Sequence, residues 1–237
     1  MKFSNKVALI AGGTGGLGRA VSLAFLEEGA KVVVTYRLPE EFAALQGAAA
    51  ANGPSLEGHL VDVTNEAETS RLVADILSTH EKLDVLVNTV GAYAGGAKLW
   101  ELDAKVFELM LNLNLRSGFV LSRTVVPVML NQRHGAIVNI VAKAALDHAA
   151  GAGAYVASKA AALAMMDSLA AEIKGTGVRV NSILPSIIDT AANRKAIPGA
   201  DFSKWPKPED IARVILFLCS DEAKVVQGAA IPVYGDS

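Results

Sequence analysis

Ala11-Gly12-Gly13-Thr14-Gly15-Gly16-Leu17-Gly18 follows the apolar run Val7–Ala11 and opens a helical pattern. Glycines let a backbone turn tightly and come close to a pyrophosphate. A helix start adds free N–H groups and a favourable dipole. The stretch fits G-x-G-x-x-G through Gly13, Gly15 and Gly18, and G-x-x-x-G-x-G through Gly12, Gly16 and Gly18. Glycine patterns alone are weak signals. The position between a strand and a helix makes this one a nucleotide loop rather than a plain tight turn.

Outward from the loop, short β-branched runs alternate with longer helical patterns. Strands are expected at 7–11, 31–35, 56–63, 83–88, 135–141, 178–184 and 229–233. Helices are expected near 16–28, 39–51, 66–79, 102–130, 153–174 and 208–219. Near-continuous apolar strands joined by helices imply an α/β fold, a parallel sheet covered on both faces. The chain has 237 residues, 51% hydrophobic and 19% charged, enough for one domain over 1–237 with a large core. The least regular stretch, 189–208, is a candidate substrate lid.

Composition narrows the function. A net charge of −2 leaves no basic footprint for nucleic acid. Cys219 is the only cysteine, so no internal disulfide forms and a reducing, cytoplasmic setting is expected. No secretory signal is recognised at Met1–Lys6, and no run of about 18 apolar residues predicts a membrane span. The expected partner is a small-molecule substrate.

The second strand runs out in Thr35-Tyr36-Arg37. An acidic residue there binds the 2′-hydroxyl of NAD, whereas arginine accommodates the 2′-phosphate of NADP. Arg37 favours NADP(H), with NAD(H) possible. A solvated loop arginine is the bland alternative, and Glu40 and Glu41 weaken the positive field. Asp62 reads either as a contact to the adenine amino group or as a cap near Thr64.

Tyr155 and Lys159 share a helix face at i, i+4 spacing in Ala154-Tyr155-Val156-Ala157-Ser158-Lys159. A lysine cation beside a phenol is expected to favour phenolate and lower the phenol's pKa. Without the nucleotide loop, Tyr155 would read as a buried aromatic.

Together these residues resemble the short-chain dehydrogenase/reductase family. Gly12, Gly16 and Gly18 match its cofactor loop, Asn88-Thr89-Val90-Gly91 its N-N-A-G, and Asn114 its helical asparagine. Tyr155 and Lys159 match Y-x-x-x-K, and Arg179 through Ser186 resembles R-V-N-x-x-x-P-G. The resemblance implies a single-domain, Rossmann-type doubly wound sheet of seven parallel strands in the order 3-2-1-4-5-6-7. It implies catalysis by Tyr155, Lys159 and Asn114, with Lys159 also on the nicotinamide ribose and Asn114 fixing a water chain. Cofactor contacts are implied for Gly12, Thr14, Gly16, Leu17, Gly18, Arg37, Asp62, Val63, Asn88, Gly91, Pro185, Ile188 and Thr190. The apolar helices near 102–130 and 153–174 suggest a homodimer or homotetramer.

Four positions depart from the pattern: Ala11, Thr89, Ser186 and, most seriously, Ala142, where the family's active-site serine belongs. Stretches of the C-terminal half resemble quinonoid dihydropteridine reductases, which also lack that serine. These are Ala142–Asp147, Asp189-Thr190, Asn193-Arg194-Lys195 and Ala200–Trp205. Tyr93 falls where those enzymes have tryptophan. The implied substrate residues are Tyr93, Ala142, Lys143, Asn193 and Trp205. Lys143 reads equally as a solvated loop lysine. Three functions follow: a reductase of a conjugated or quinonoid ring resembling dihydropterin, a ketone or 3-oxoacyl reductase without the serine, and a non-catalytic nucleotide sensor.

Overall fold

Alternate residues of the central strands enter different cores, which is the period-two geometry of a strand buried on both faces. Ala8 and Ile10 of β1 (Val7–Ala11) pack with Val21 and Phe25 of α1 (Gly16–Glu27). Ile211 and Ile215 of α8 (Pro208–Cys219) complete that face. Val7, Leu9 and Ala11 point the other way. They meet Leu72 and Ile76 of α3 (Glu66–His80), Leu121 and Met129 of α5 (Ser117–Gln132), and Met166 of α6 (Gly153–Glu172). Each fully buried aliphatic side chain contributes about 1.5–3 kcal/mol, so these two layers hold the sheet between helices.

The computed structural model describes residues 1–49 and 55–237. Its sheet has seven strands in the order β3-β2-β1-β4-β5-β6-β7, with every neighbouring pair parallel. The other strands are β2 (Lys31–Tyr36), β3 (Leu56–Leu60), β4 (Val85–Asn88), β5 (Gly135–Ile140), β6 (Val178–Pro185) and β7 (Ala230–Val233). The expected topology is present. β3 stops three residues short of the expected end because Asp62 turns the chain with its own carboxylate, accepting from Thr64 N–H and hydroxyl at 3.0 and 2.7 Å. The expected helix over 39–51 is α2 (Pro39–Ala48) as far as Ala48, and residues 50 and 51 lie outside the described residues.

The single helix expected over 102–130 is corrected. α4 (Ala104–Leu111) gives way to a π-helical turn at Asn112–Arg116 before α5 begins. Apolar periodicity runs through the junction and hides it, whereas the extra residue of a π turn re-aims one side chain, here Asn114. The stretch 189–208 is also more regular than expected. It holds α7 (Ala191–Ala196) and a short 3-10 turn at Phe202–Lys204.

Candidate active site

The strand order reverses between β1 and β4, so the crevice beyond their C-terminal ends is the expected ligand position in this architecture. The glycine loop lies there, pinned from both sides. Thr35 holds it from β2, its hydroxyl accepting from Gly12 N–H at 3.0 Å and its carbonyl from Gly13 N–H at 3.1 Å. Thr89 holds it from β4, donating to the carbonyls of Ala11 and Gly12 at 2.7 and 3.1 Å. Gly12 has φ +72°, a conformation side chains disfavour. A Cβ on Gly18 would collide with the Gly12 carbonyl, and one on Gly16 would come within 2.8 Å of the Thr190 methyl. The first helical backbone bond runs from Arg19 N–H to Gly15 carbonyl, leaving the N–H groups of Gly16, Leu17 and Gly18 available to an anion. Side chains are absent where a dinucleotide must approach, and donors are present where its phosphates would sit. These residues therefore fit a nicotinamide dinucleotide. Leu17 and Val63 are buried in the core, so only their backbones are accessible to it.

Arg37 is exposed and stands 3.4 Å from Asp62 Oδ2. Partial burial would raise the Asp62 carboxyl. Thr64 and Arg37 outweigh that and hold it below its ordinary value. Asp62 is thus a turn-forming carboxylate that also pairs with Arg37. Thr14 donates its hydroxyl to Glu41 Oε2 at 2.9 Å.

At the opposite end of the crevice the Tyr155 helix, α6, meets the π turn. Asn114 is buried and its side chain is fully engaged. Its oxygen accepts from Ala92 N–H at 2.9 Å, and its nitrogen donates to Ala92 carbonyl and Ser158 hydroxyl, both at 3.0 Å. Ser158 in turn donates to the Tyr155 carbonyl at 2.7 Å. Gly91 lies against this clamp, since a Cβ there would meet Asn114 Oδ1 at 2.8 Å and Lys159 Nζ at 3.2 Å. Asn88 ties β4 to β5 by donating to Asn139 Oδ1 at 2.9 Å. Ser158 and Thr89 were not singled out as site residues in the sequence. Ser158 could have been found from its place beside Lys159, and Thr89 from its hydroxyl where asparagine was expected.

Lys159 is buried and donates to the Ile140 carbonyl at 2.9 Å. Burial drops its ammonium to a pKa of about 8. Tyr155 carries the reverse effect. Burial, reinforced by Tyr93, pushes its phenol up to about 12. The expected lowering of the phenol by the lysine is therefore corrected: desolvation dominates, with Tyr93 adding to it. Tyr93 packs edge-on against Tyr155, ring centroids 4.9 Å apart, with most of its own ring exposed at the crevice rim.

The expected substrate residues divide. Ala142 is buried at the end of β5, and Val141 beside it is equally apolar. Lys143 is drawn to the C-terminal segment. Its Nζ lies 5.2 Å from the Tyr234 ring centroid, 3.6 Å from Asp147 Oδ2 and 3.5 Å from the Ser237 carbonyl. Ser186, the departure from glycine, donates to the Tyr234 carbonyl at 2.6 Å and so fastens that same segment. Asn193 donates to the Ile188 carbonyl at 2.8 Å, and Thr190 caps α7 by accepting from Asn193 N–H at 3.2 Å. Trp205 is buried against Phe202, and Asp189 N–H donates to the Pro206 carbonyl, joining the two ends of the 189–208 stretch. Pro185 ends β6, next to the crevice.

Comparison with known proteins agrees with this geometry. The chain is 32% identical to the 3-oxoacyl-[acyl-carrier-protein] reductase FabG of Thermotoga maritima, covering 99% of this chain and 98% of that one. It is 33% identical to the (2S)-[(R)-hydroxy(phenyl)methyl]succinyl-CoA dehydrogenase subunit BbsD of Thauera aromatica, covering 99% and 97%. Among solved structures, ElxO with NADP bound superimposes with a TM-score of 0.91 at 26% identity, over 99% of this chain and 98% of that one. A short-chain type dehydrogenase/reductase from Mycobacterium ulcerans gives 0.94 at 28% identity, over 100% and 90%. The short chain dehydrogenase family profile matches residues 6–200, and the chain belongs to that family.

Proposed function

We propose that the protein is an NADPH-preferring oxidoreductase that delivers hydride to a conjugated or quinonoid acceptor, with Tyr155 as proton donor. The nucleotide supplies the hydride. Gly12, Gly16 and Gly18 would admit its pyrophosphate, Lys159 would meet its nicotinamide ribose, and Arg37 would favour a 2′-phosphate. Asn114 and Ser158 keep the Tyr155 helix in place. At a pKa of about 12 the phenol holds its proton at neutral pH and can give it to a substrate atom.

The observation that carries the substrate class is Ala142. Reducing a ketone builds negative charge on one oxygen, and losing one of its donors costs about 10²–10³ in rate. A quinonoid ring such as a dihydropterin spreads that charge and needs a proton more than a second donor. The exposed ring of Tyr93 beside Tyr155 offers a flat apolar wall to such a substrate. Nothing in the comparisons points to a pterin in particular.

The relatives favour a second reading, a 3-oxoacyl or other acyl-thioester ketone, because two of them are named for acyl-carrier-protein or CoA substrates. Turnover of NADPH with a quinonoid dihydropterin and with a 3-oxoacyl thioester separates the two. Ala142→Ser should leave turnover of the quinonoid acceptor nearly unchanged and raise ketone turnover by about 10–10². A parent chain that binds NADPH yet reduces neither class would return the sensor reading.

A further inference from the structure

The geometry points to Glu41 as a second determinant of cofactor choice, one that opposes Arg37: a fixed carboxylate wall against a ribose 2′-phosphate. This rests on the reading that the glycine loop holds a nicotinamide dinucleotide.

Thr14 sits inside that loop and is buried, yet its hydroxyl donates outward to Glu41 Oε2 at 2.9 Å. Glu41 stands in the first turn of α2, which is clamped. Phe42 stacks on Tyr36 at 4.8 Å with ring planes 1° apart, and its ring fills the space over Gly58 where a Cβ would clash. The N–H groups of Glu41 and Phe42 both donate to the Leu38 carbonyl, at 3.1 and 3.3 Å. The carboxylate is thereby set between the phosphate loop and the end of β2, whose Thr35 also holds Gly12 and Gly13. That is the corner where the ribose 2′ position lies when a dinucleotide occupies this fold.

The charges in that corner oppose one another. Arg37 is the cation suited to a 2′-phosphate, and Asp62 already stands 3.4 Å from it. Glu41 holds the loop's hydroxyl. A ribose 2′-hydroxyl can donate to a carboxylate. A 2′-phosphate carries about −1.5 to −2 charge and can only be repelled by one. The pocket therefore discriminates weakly, and removing the Glu41 charge widens the preference.

Calorimetric titration with AMP and with adenosine 2′,5′-bisphosphate tests this without any turnover. Glu41→Gln keeps an amide oxygen for the Thr14 hydroxyl, so the fold is not at stake. It should tighten the bisphosphate about tenfold at low salt, with AMP changed less than about twofold and the gain fading near 1 M salt. Glu40→Gln removes the same charge one residue away, where no loop contact exists among the described residues, and should do far less. Equal effects from both variants would mean a general field and overturn the assignment. So would an unmoved bisphosphate-to-AMP ratio in Glu41→Gln. In both cases AMP binding would leave the cofactor reading standing. A parent that binds neither nucleotide would remove the cofactor reading and this assignment with it.

Discussion

Lys159 shows how burial moves the charge state of a single residue. Its ammonium is enclosed and donates to a single carbonyl, that of Ile140, and desolvation brings its pKa to about 8 from the ordinary 10.5. The cation is therefore intact below about 8 and is lost as pH rises through it. If that cation holds the nicotinamide ribose, the rate of reduction should be level below pH 8 and decline above it. Lys159→Met should give a slow rate with no such decline. The sign for stability is opposite. Between about 8 and 10.5 the unfolded chain binds more protons than the folded one, so this residue's contribution rises with pH, by on the order of 3 kcal/mol. A parent rate that stays level to pH 10 would contradict a role for the charged form. The Tyr155 phenol, at about 12, stays protonated throughout this window and would not produce the decline.

At the scale of elements, the packing of α1 against the loop before it depends on Gly18. A methyl there would run into the Gly12 carbonyl and crowd Thr89 Oγ1 at 2.8 Å. Gly18→Ala should lower thermal stability by about 1–3 kcal/mol and weaken nucleotide binding at the same time. A variant with parent-like melting temperature would mean the loop can shift freely. The glycine spacing was readable in the sequence because only glycine satisfies such an approach, and the seven apolar runs were readable because period-two burial leaves few alternatives. The π turn at Asn112–Arg116 was not readable. Leu113, Leu115 and Arg116 continue the helical pattern through it, and the Asn114 clamp onto Ala92 and Ser158 is a tertiary demand that this pattern does not encode. Tyr155 and Lys159 were legible as a pair, but not their charge states. Spacing placed the two groups on one face, while burial, which spacing does not encode, decided their pKa values. Lys143 and Trp205 were legible as neighbours of the site only. The C-terminal segment that draws in the first is distant in sequence, and the second packs onto Phe202 in its own stretch.

Across the whole molecule, the faces of α4, α5 and α6 carry more apolar surface than the sheet uses. Phe107, Leu109 and Phe119 are 37%, 48% and 43% exposed. Phe119, Leu111, Leu115 and Met165 line a recess of about 500 Å³, edged by Glu108 and Arg116, and Phe107 lies one helical turn before Leu111. A contiguous apolar patch with a charged rim is what an isologous interface presents to a second copy, since each side then supplies both the projecting ring and the recess. The π turn lies within this patch, so an interface here would brace the same element that clamps Asn114. The protein is expected to be at least a dimer at micromolar concentration. Phe119→Asp places a charge in the centre of the patch and should shift sedimentation toward the monomer. Phe119 is 43% exposed in the single chain, so its replacement also removes packing within the chain, and the sedimentation shift rather than the melting temperature carries the test. A fall in melting temperature that comes from lost association should shrink as parent and variant are diluted together, because the parent then loses its partner too. A parent chain that sediments as a monomer at every concentration would reject the interface, and would leave the exposed rings of Phe107 and Phe119 to some other contact.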